Sequence, residues 1–143
     1  MTKRKQTITA NLPGYERDRY RWRRRILRSV LQAKTAAGVT YEDETKFEVV
    51  VLLYLKSGKR HDIHDVDNRL KDILDALQGR FGSQRAKTRL IEDDRYISRA
   101  LVEKQPIPKL LPANSGGRLL IRPYRERRWP LQSTKGDGLR KKK

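Results

Sequence analysis

The chain has no cysteine, which excludes a disulfide framework and any thiolate metal site, so an ion bound here is held by oxygen, with imidazole as the remaining donor. Imidazole is itself scarce. His61 and His64 are the two histidines, and the His-Asp chemistry of metal phosphohydrolases needs more of them. No apolar run approaches the roughly 18 residues of a membrane span, and Met1-Thr-Lys-Arg-Lys-Gln6 lacks the apolar core of a signal peptide. A cytoplasmic protein without membrane attachment is expected. There is no internal repeat, no Walker-type glycine loop and no nucleophile elbow. Acidic side chains are also few, 17 against 35 Lys and Arg, for a net charge of +18 and a pI near 10.6. Such a balance implies a polyanionic partner, and charge alone does not choose between nucleic acid and an anionic membrane surface.

What acid there is has been concentrated. Five of the 17 acidic residues fall between Asp62 and Asp75, in His61-Asp-Ile-His-Asp-Val-Asp-Asn-Arg-Leu-Lys-Asp-Ile-Leu-Asp-Ala-Leu77. A cluster of Asp facing a polyanion would repel it unless a divalent cation neutralised the carboxylates, and that cation would also act as a Lewis acid at phosphate. Helix capping is the competing explanation, because Asp near a helix start satisfies free amides and complements the macrodipole. Capping accounts for one or two of these residues. It does not obviously require Asp65, Asp67, Asp72 and Asp75 together with a second run, Glu92-Asp93-Asp94.

A length of 143 residues predicts one domain that buries about two thirds of its unfolded surface. Apolar residues are 36% of the chain, a low share whose deficit lies mostly in the ends. Residues 6–12 alternate Ile8, Ala10 and Leu12 with polar neighbours, the period of a strand with one wet face, and Pro13-Gly14 stops it. From Tyr15 to Ala37 the spacing of Tyr15, Trp22, Ile26, Val30 and Ala33 predicts an amphipathic helix closed by Gly38. Its arginines, among them Arg21, Arg24, Arg25 and Arg28, either track a nucleic-acid backbone or are simply solvated. Val49-Val-Val-Leu-Leu-Tyr-Leu55, inside a strand expected over residues 46–56, is rich in β-branched residues and lacks polar alternation. That is the pattern of a central strand covered on both faces.

Ser57-Gly58-Lys59-Arg60 turns the chain into a second helix, expected from Val66 to Gln78, with Leu70, Ile73, Leu74 and Leu77 as its apolar stripe. Asp67, Lys71 and Asp75 share a neighbouring flank, which puts Asp67 at the first turn with Lys71 one turn behind it. Both would reach one phosphate, or they form an ordinary i,i+4 pair worth a few tenths of a kcal/mol. Gly79 closes this helix. Residues 80–89 read as a basic loop, with Arg85 and Lys87 able to clamp a backbone. A strand is expected from Tyr96 to Glu103, an irregular proline-containing connection over 105–114, and a last strand over Arg118–Tyr124. The domain thus spans residues 1–124 and a basic tail, expected to be disordered, spans 125–143. The fold class is α+β, in the order β-α-β-α-β-β, with a mixed sheet and two main helices.

Asp65-Val-Asp67-Asn68, Lys71, Asp75-Ala-Leu77, Asp93-Asp94 and a strand ending Val102-Glu-Lys104 occur here in one order. That series resembles the RusA-type Holliday junction resolvases over about residues 46–104. The resemblance implies a small homodimeric, magnesium-dependent endonuclease that cuts paired strands of a four-way DNA junction in recombination and repair, in the nucleoid or in a phage-infected cell. By position it implies Asp65, Asp67 and Asp94 as metal-binding carboxylates and Lys71 as the functional lysine, with manganese as an alternative ion. Asp75 and Asp93 are possible additions to the site. Arg69 stands where the family usually has an apolar residue, so it joins the arginines, Arg85 and Lys87 as an expected DNA contact. Two other readings compete: a noncatalytic basic module for branched or double-stranded nucleic acid, its Asp residues serving as caps and ion-pair partners, and a ribonucleoprotein component.

Overall fold

The computed structural model describes residues 6–54, 61–110 and 115–125, with the backbone alone for 61–65. The elements run β1 (Ile8–Pro13), α1 (Arg19–Ala37), β2 (Phe47–Tyr54), α2 (His61–Leu77), the short strands β3 (Arg80–Phe81) and β4 (Gln84–Arg85), β5 (Ile97–Gln105) and β6 (Ser115–Pro123). The main sheet has the order β1-β6-β2-β5. β6 is antiparallel to both neighbours, and β2 and β5 are parallel. The expected α+β class, the mixed sheet and the two helices are therefore present.

Both helices lie on one face of the sheet. Ile8, Ala10 and Leu12 of β1, Phe47, Val49, Val51 and Leu53 of β2, and Leu119 and Ile121 of β6 form one core with Trp22, Ile26 and Val30 of α1 and Ile73, Ala76 and Leu77 of α2. Alternation along a strand sends every second residue to the opposite face, where no described helix covers Val50, Leu52 and Leu120. Here the structure departs from the sequence pattern: β2 reads as covered on both faces, and within one chain the helices cover one. Neither helix is long and apolar enough to cross a membrane, nor is any other described helix.

Several boundaries also differ. α1 starts at Arg19 instead of Tyr15, because the Asp18 side chain accepts a bond from the Arg21 amide and caps the first turn. Tyr15 remains outside the helix, edge-on to Trp22 at 5.0 Å, while the Trp22 indole donates to the Pro13 carbonyl at 2.9 Å. α2 starts at His61, five residues before Val66, and Val66 packs against the core together with Leu70 and Leu74. The basic loop after Gly79 folds as a tight β3–β4 hairpin. β5 follows a single 3₁₀ turn at Asp94–Tyr96 and runs on to Gln105, and β6 begins at Ser115. The turn at residues 57–60 and the tail beyond Arg125 lie outside the described residues.

Two glycines carry specific burdens. Gly38 ends α1 in the left-handed conformation at φ 65°, and a Cβ there would meet nothing within 4 Å. Gly117 of β6, at φ 156°, passes so close to β2 that a Cβ would fall on the Leu52 carbonyl oxygen. Gly38→Ala is therefore expected to cost about 1 kcal/mol from backbone conformation alone, and Gly117→Ala a larger amount, about 2–3 kcal/mol, because two strands must separate. Urea denaturation of the two variants checks that order.

Candidate functional site

The acidic segment is sorted by α2 into groups with different surroundings. Asp72 faces α1 and is 3% exposed. Its Oδ1 accepts from Arg23 Nε at 2.9 Å and Nη2 at 2.6 Å, and from Arg19 Nη2 at 2.9 Å. Arg23 is itself buried, at 6% exposure. It also donates to the Arg80 carbonyl at 3.2 Å and lies 3.3 Å from Asp75 Oδ2. A buried guanidinium forces this arrangement, because an unpaired charge out of water costs several kcal/mol. Asp72 and Asp75 thus bind the two helices together, and Asp75, a possible addition to the site, is engaged with α1.

Asp67 and Lys71 are different. Both are exposed, and among the described residues neither has a hydrogen bond or ion pair with the other or with anything else. The simple i,i+4 pair is not formed. Asp67 lies in the second turn of α2, since the helix starts earlier than its apolar stripe suggests. Of Asp65 the backbone alone is described, as part of α2, and His61 and His64 are likewise outside the described side chains.

Asp94 opens the 3₁₀ turn before β5, with Asp93 as its cap. Asp93 accepts from the Arg95 amide at 3.0 Å and pairs with the Arg95 guanidinium at 3.2 Å. Desolvation pushes its carboxyl up, but the amide and guanidinium of Arg95, with Arg85 nearby, outweigh that and hold it below the usual carboxylate range. Asp94 is exposed, and its Oδ1 accepts from Gln78 Nε2 at 2.6 Å. Gln78 is fully buried. The same Nε2 donates to the Leu74 carbonyl at 3.1 Å, and Gln78 Oε1 accepts from Arg80 Nε at 2.9 Å. Sequence reasoning had no use for Gln78 beyond marking a helix end. It docks the second acidic run against the C-terminal end of α2.

Asp67, Lys71, Leu74 and Gln78 follow one another at intervals of four, three and four residues and so share one flank of α2. Asp94 is held at the lower end of that flank. At about 1.5 Å per residue, Leu74 lies about 10 Å further along the axis than Asp67, with Lys71 between the two acids. Among the described residues no three His, Asp or Glu side chains stand close enough to hold a metal ion. That statement does not reach the trio of Asp65, Asp67 and Asp94, because the Asp65 side chain is not described. The hard oxygen donors suit magnesium in kind, but the described side chains do not assemble a coordination sphere.

The expected DNA contacts also divide. Arg21 and Arg25 share the Glu16 carboxylate, at 3.3 and 2.7 Å. Arg24 lies over the Phe81 ring at 5.3 Å, and Arg69 over Tyr15 at 4.6 Å. Arg85 donates to the carbonyls of Gln78 and Glu92, tying the hairpin to the second acidic run. Arg28 and Lys87 are exposed without an ion pair among the described residues. Asp72→Ala, which strands Arg23 in the interior, is expected to destabilise the fold by about 3–5 kcal/mol, and Asp75→Ala by less than about 1 kcal/mol; denaturant titration of both reads the difference. No family model, curated protein or solved structure matches this chain.

Proposed function

We propose that the chain is a magnesium-dependent endonuclease acting on branched DNA, with four-way junctions as its substrate class. One observation carries the reading. Of the acids on α2 whose side chains are described, Asp72 and Asp75 are taken up by Arg23, while Asp67 remains exposed, with Lys71 one turn behind it on the same flank and no ion pair between them among the described residues. The ordered motifs of the sequence and a net charge of +18 support it. A magnesium ion, when bound by the Asp carboxylates, would supply activated water and charge balance at phosphate. Lys71 offsets charge developing on the scissile phosphate. Arg28 and Lys87 hold the backbone. Two equivalent strands cross at a junction, and a two-fold protein places one site on each.

A noncatalytic nucleic-acid binder is the second reading, and the structure supplies an observation in its favour: Asp18 and Asp93 cap, and Asp72 and Asp75 pair with arginine. Cleavage of a labelled four-way junction separates the two. The nuclease reading expects cutting with magnesium and none with chelator, Asp67→Asn and Lys71→Ala each lowering the rate by about 100-fold or more, with Asp67→Asn still binding the junction. Wild-type rates in both variants, or no cutting of any DNA by the native chain, leave the binder. In either case affinity falls steeply with salt, as phosphate contacts release counterions.

A further inference from the structure

α1 carries a second apolar stripe that the core does not use. Trp22, Ile26 and Val30 join the core, whereas Leu27 and Leu31, four residues apart on a neighbouring side of the helix, stand outside it. With Phe81 of β3 they line a shallow groove of about 640 Å³ that runs along α1 from Arg24 to Ala36. At about 1.5 Å per residue this stretch is about 18 Å long, a little over three helical turns. Leu27 is buried, and Leu31 and Phe81 are half-buried. Arg24 and Arg28 stand one turn apart at one end of the groove. The Arg24 guanidinium lies over the Phe81 ring at 5.3 Å, and neither arginine has an ion pair among the described residues. Gln32, Thr35 and Ala36 leave the other end uncharged, and among the described residues no carboxylate lines the groove.

We infer that this groove takes an acidic amphipathic helix of another protein, laid alongside α1. Apolar side chains at i, i+3, i+4 and i+7 of such a helix meet Leu27, Leu31 and Phe81, and carboxylates one turn apart on its flank meet Arg24 and Arg28. Charge selects this occupant over the others. Residues 1–5, 55–60 and 126–143 of the chain each hold more Lys and Arg than Asp and Glu, so they would bring like charge to the two arginines. A second copy carries the same excess, a net charge of +18. A nucleic-acid backbone gains from cations along its whole track, and from Leu31 to Ala36 the lining offers none. An unpaired base would have the Phe81 ring to stack on, but Arg24 already covers one face of it. Arg28 serves either a phosphate or the partner's carboxylate, so a bound helix and DNA compete at that residue.

The inference goes beyond the nuclease reading, and peptide binding is measured without DNA or metal, so its failure is a separate outcome from loss of cutting. The probe is a fluorescein-labelled, alanine-based helix of about 16 residues with leucines at i, i+3, i+4 and i+7 and glutamates on both flanks. Its controls are a scrambled peptide of equal charge and a peptide with lysine for each glutamate. At about 150 mM salt, fluorescence anisotropy with the full chain is expected to give a Kd below about 100 µM for the probe and binding at least about tenfold weaker for both controls. Leu31→Lys and Phe81→Ala should each weaken the probe by about tenfold or more, with unchanged far-UV circular dichroism. Arg24→Glu combined with Arg28→Glu should shift the preference toward the lysine peptide by about tenfold or more. The chain has no cysteine, so Thr35→Cys places a single thiol at the groove, and the probe should slow its reaction with a maleimide. A scrambled peptide that binds as tightly as the probe overturns the inference, as does probe binding indifferent to both Leu31→Lys and Phe81→Ala. So does a single-stranded oligonucleotide that shields the thiol where the probe does not, or a native chain whose self-association Leu31→Lys disperses, since these give the groove to nucleic acid or to a second copy.

Discussion

The Asp72 carboxylate, buried between the helices and shared by Arg23 and Arg19, is the interaction on which the arrangement of the molecule depends. A chain so rich in arginine has to place a helix such as α1 somewhere, and its face toward α2 would repel if α2 offered only apolar groups. The 2.6 Å contact from Arg23 turns that face into a fixed register. Arg69 over Tyr15, Arg19 on Asp72 and Arg23 near Asp75 then run in step along the two helices, which lie side by side and point the same way. A buried pair of this sort contributes little net stability over an apolar replacement, but removing one partner is costly, so its effect is on geometry.

That register decides which acids remain for other uses. Asp75 is drawn toward α1, while Asp67 and Lys71, a short step round the helix, stay in solvent. The end of the same flank is occupied by Gln78, whose amide satisfies its own helix carbonyl and holds Asp94 at once. A neutral side chain buried to completion is affordable there because both of its polar atoms are bonded. The second acidic run is thereby set against α2 by hydrogen bonds, with Arg85 bracing it from the hairpin.

The sheet has a parallel logic. β6 separates β1 from β2, and Gly117 lets it approach both, since any side chain at that point would strike the Leu52 carbonyl. Helices occupy one side of the sheet. On the other, Glu48 is paired with both Arg99 and Arg122 at one end of an apolar strip. The same strand, β2, presents Val49, Val51 and Leu53 to the helices and Val50 and Leu52 to the opposite face.

Composition and periodicity made much of this legible. Absence of cysteine excluded thiolate metal sites, the alternating and helical spacings placed β1, α1, β2, α2, β5 and β6 in order, and Gly38 and Gly79 marked where helices stop. These signals are local, carried by residues within a turn or a strand of one another. The division of the acids was not legible, because Asp67, Asp72 and Asp75 are the same residue type a few positions apart, and what separates them is the direction each takes around α2 once α1 lies alongside. Gln78 and Glu48 were invisible for the same reason: Asp94, which Gln78 holds, and Arg99 and Arg122, which pair with Glu48, are distant in sequence, and a polar residue acquires its role only when packing removes water and leaves its atoms one set of neighbours to bond.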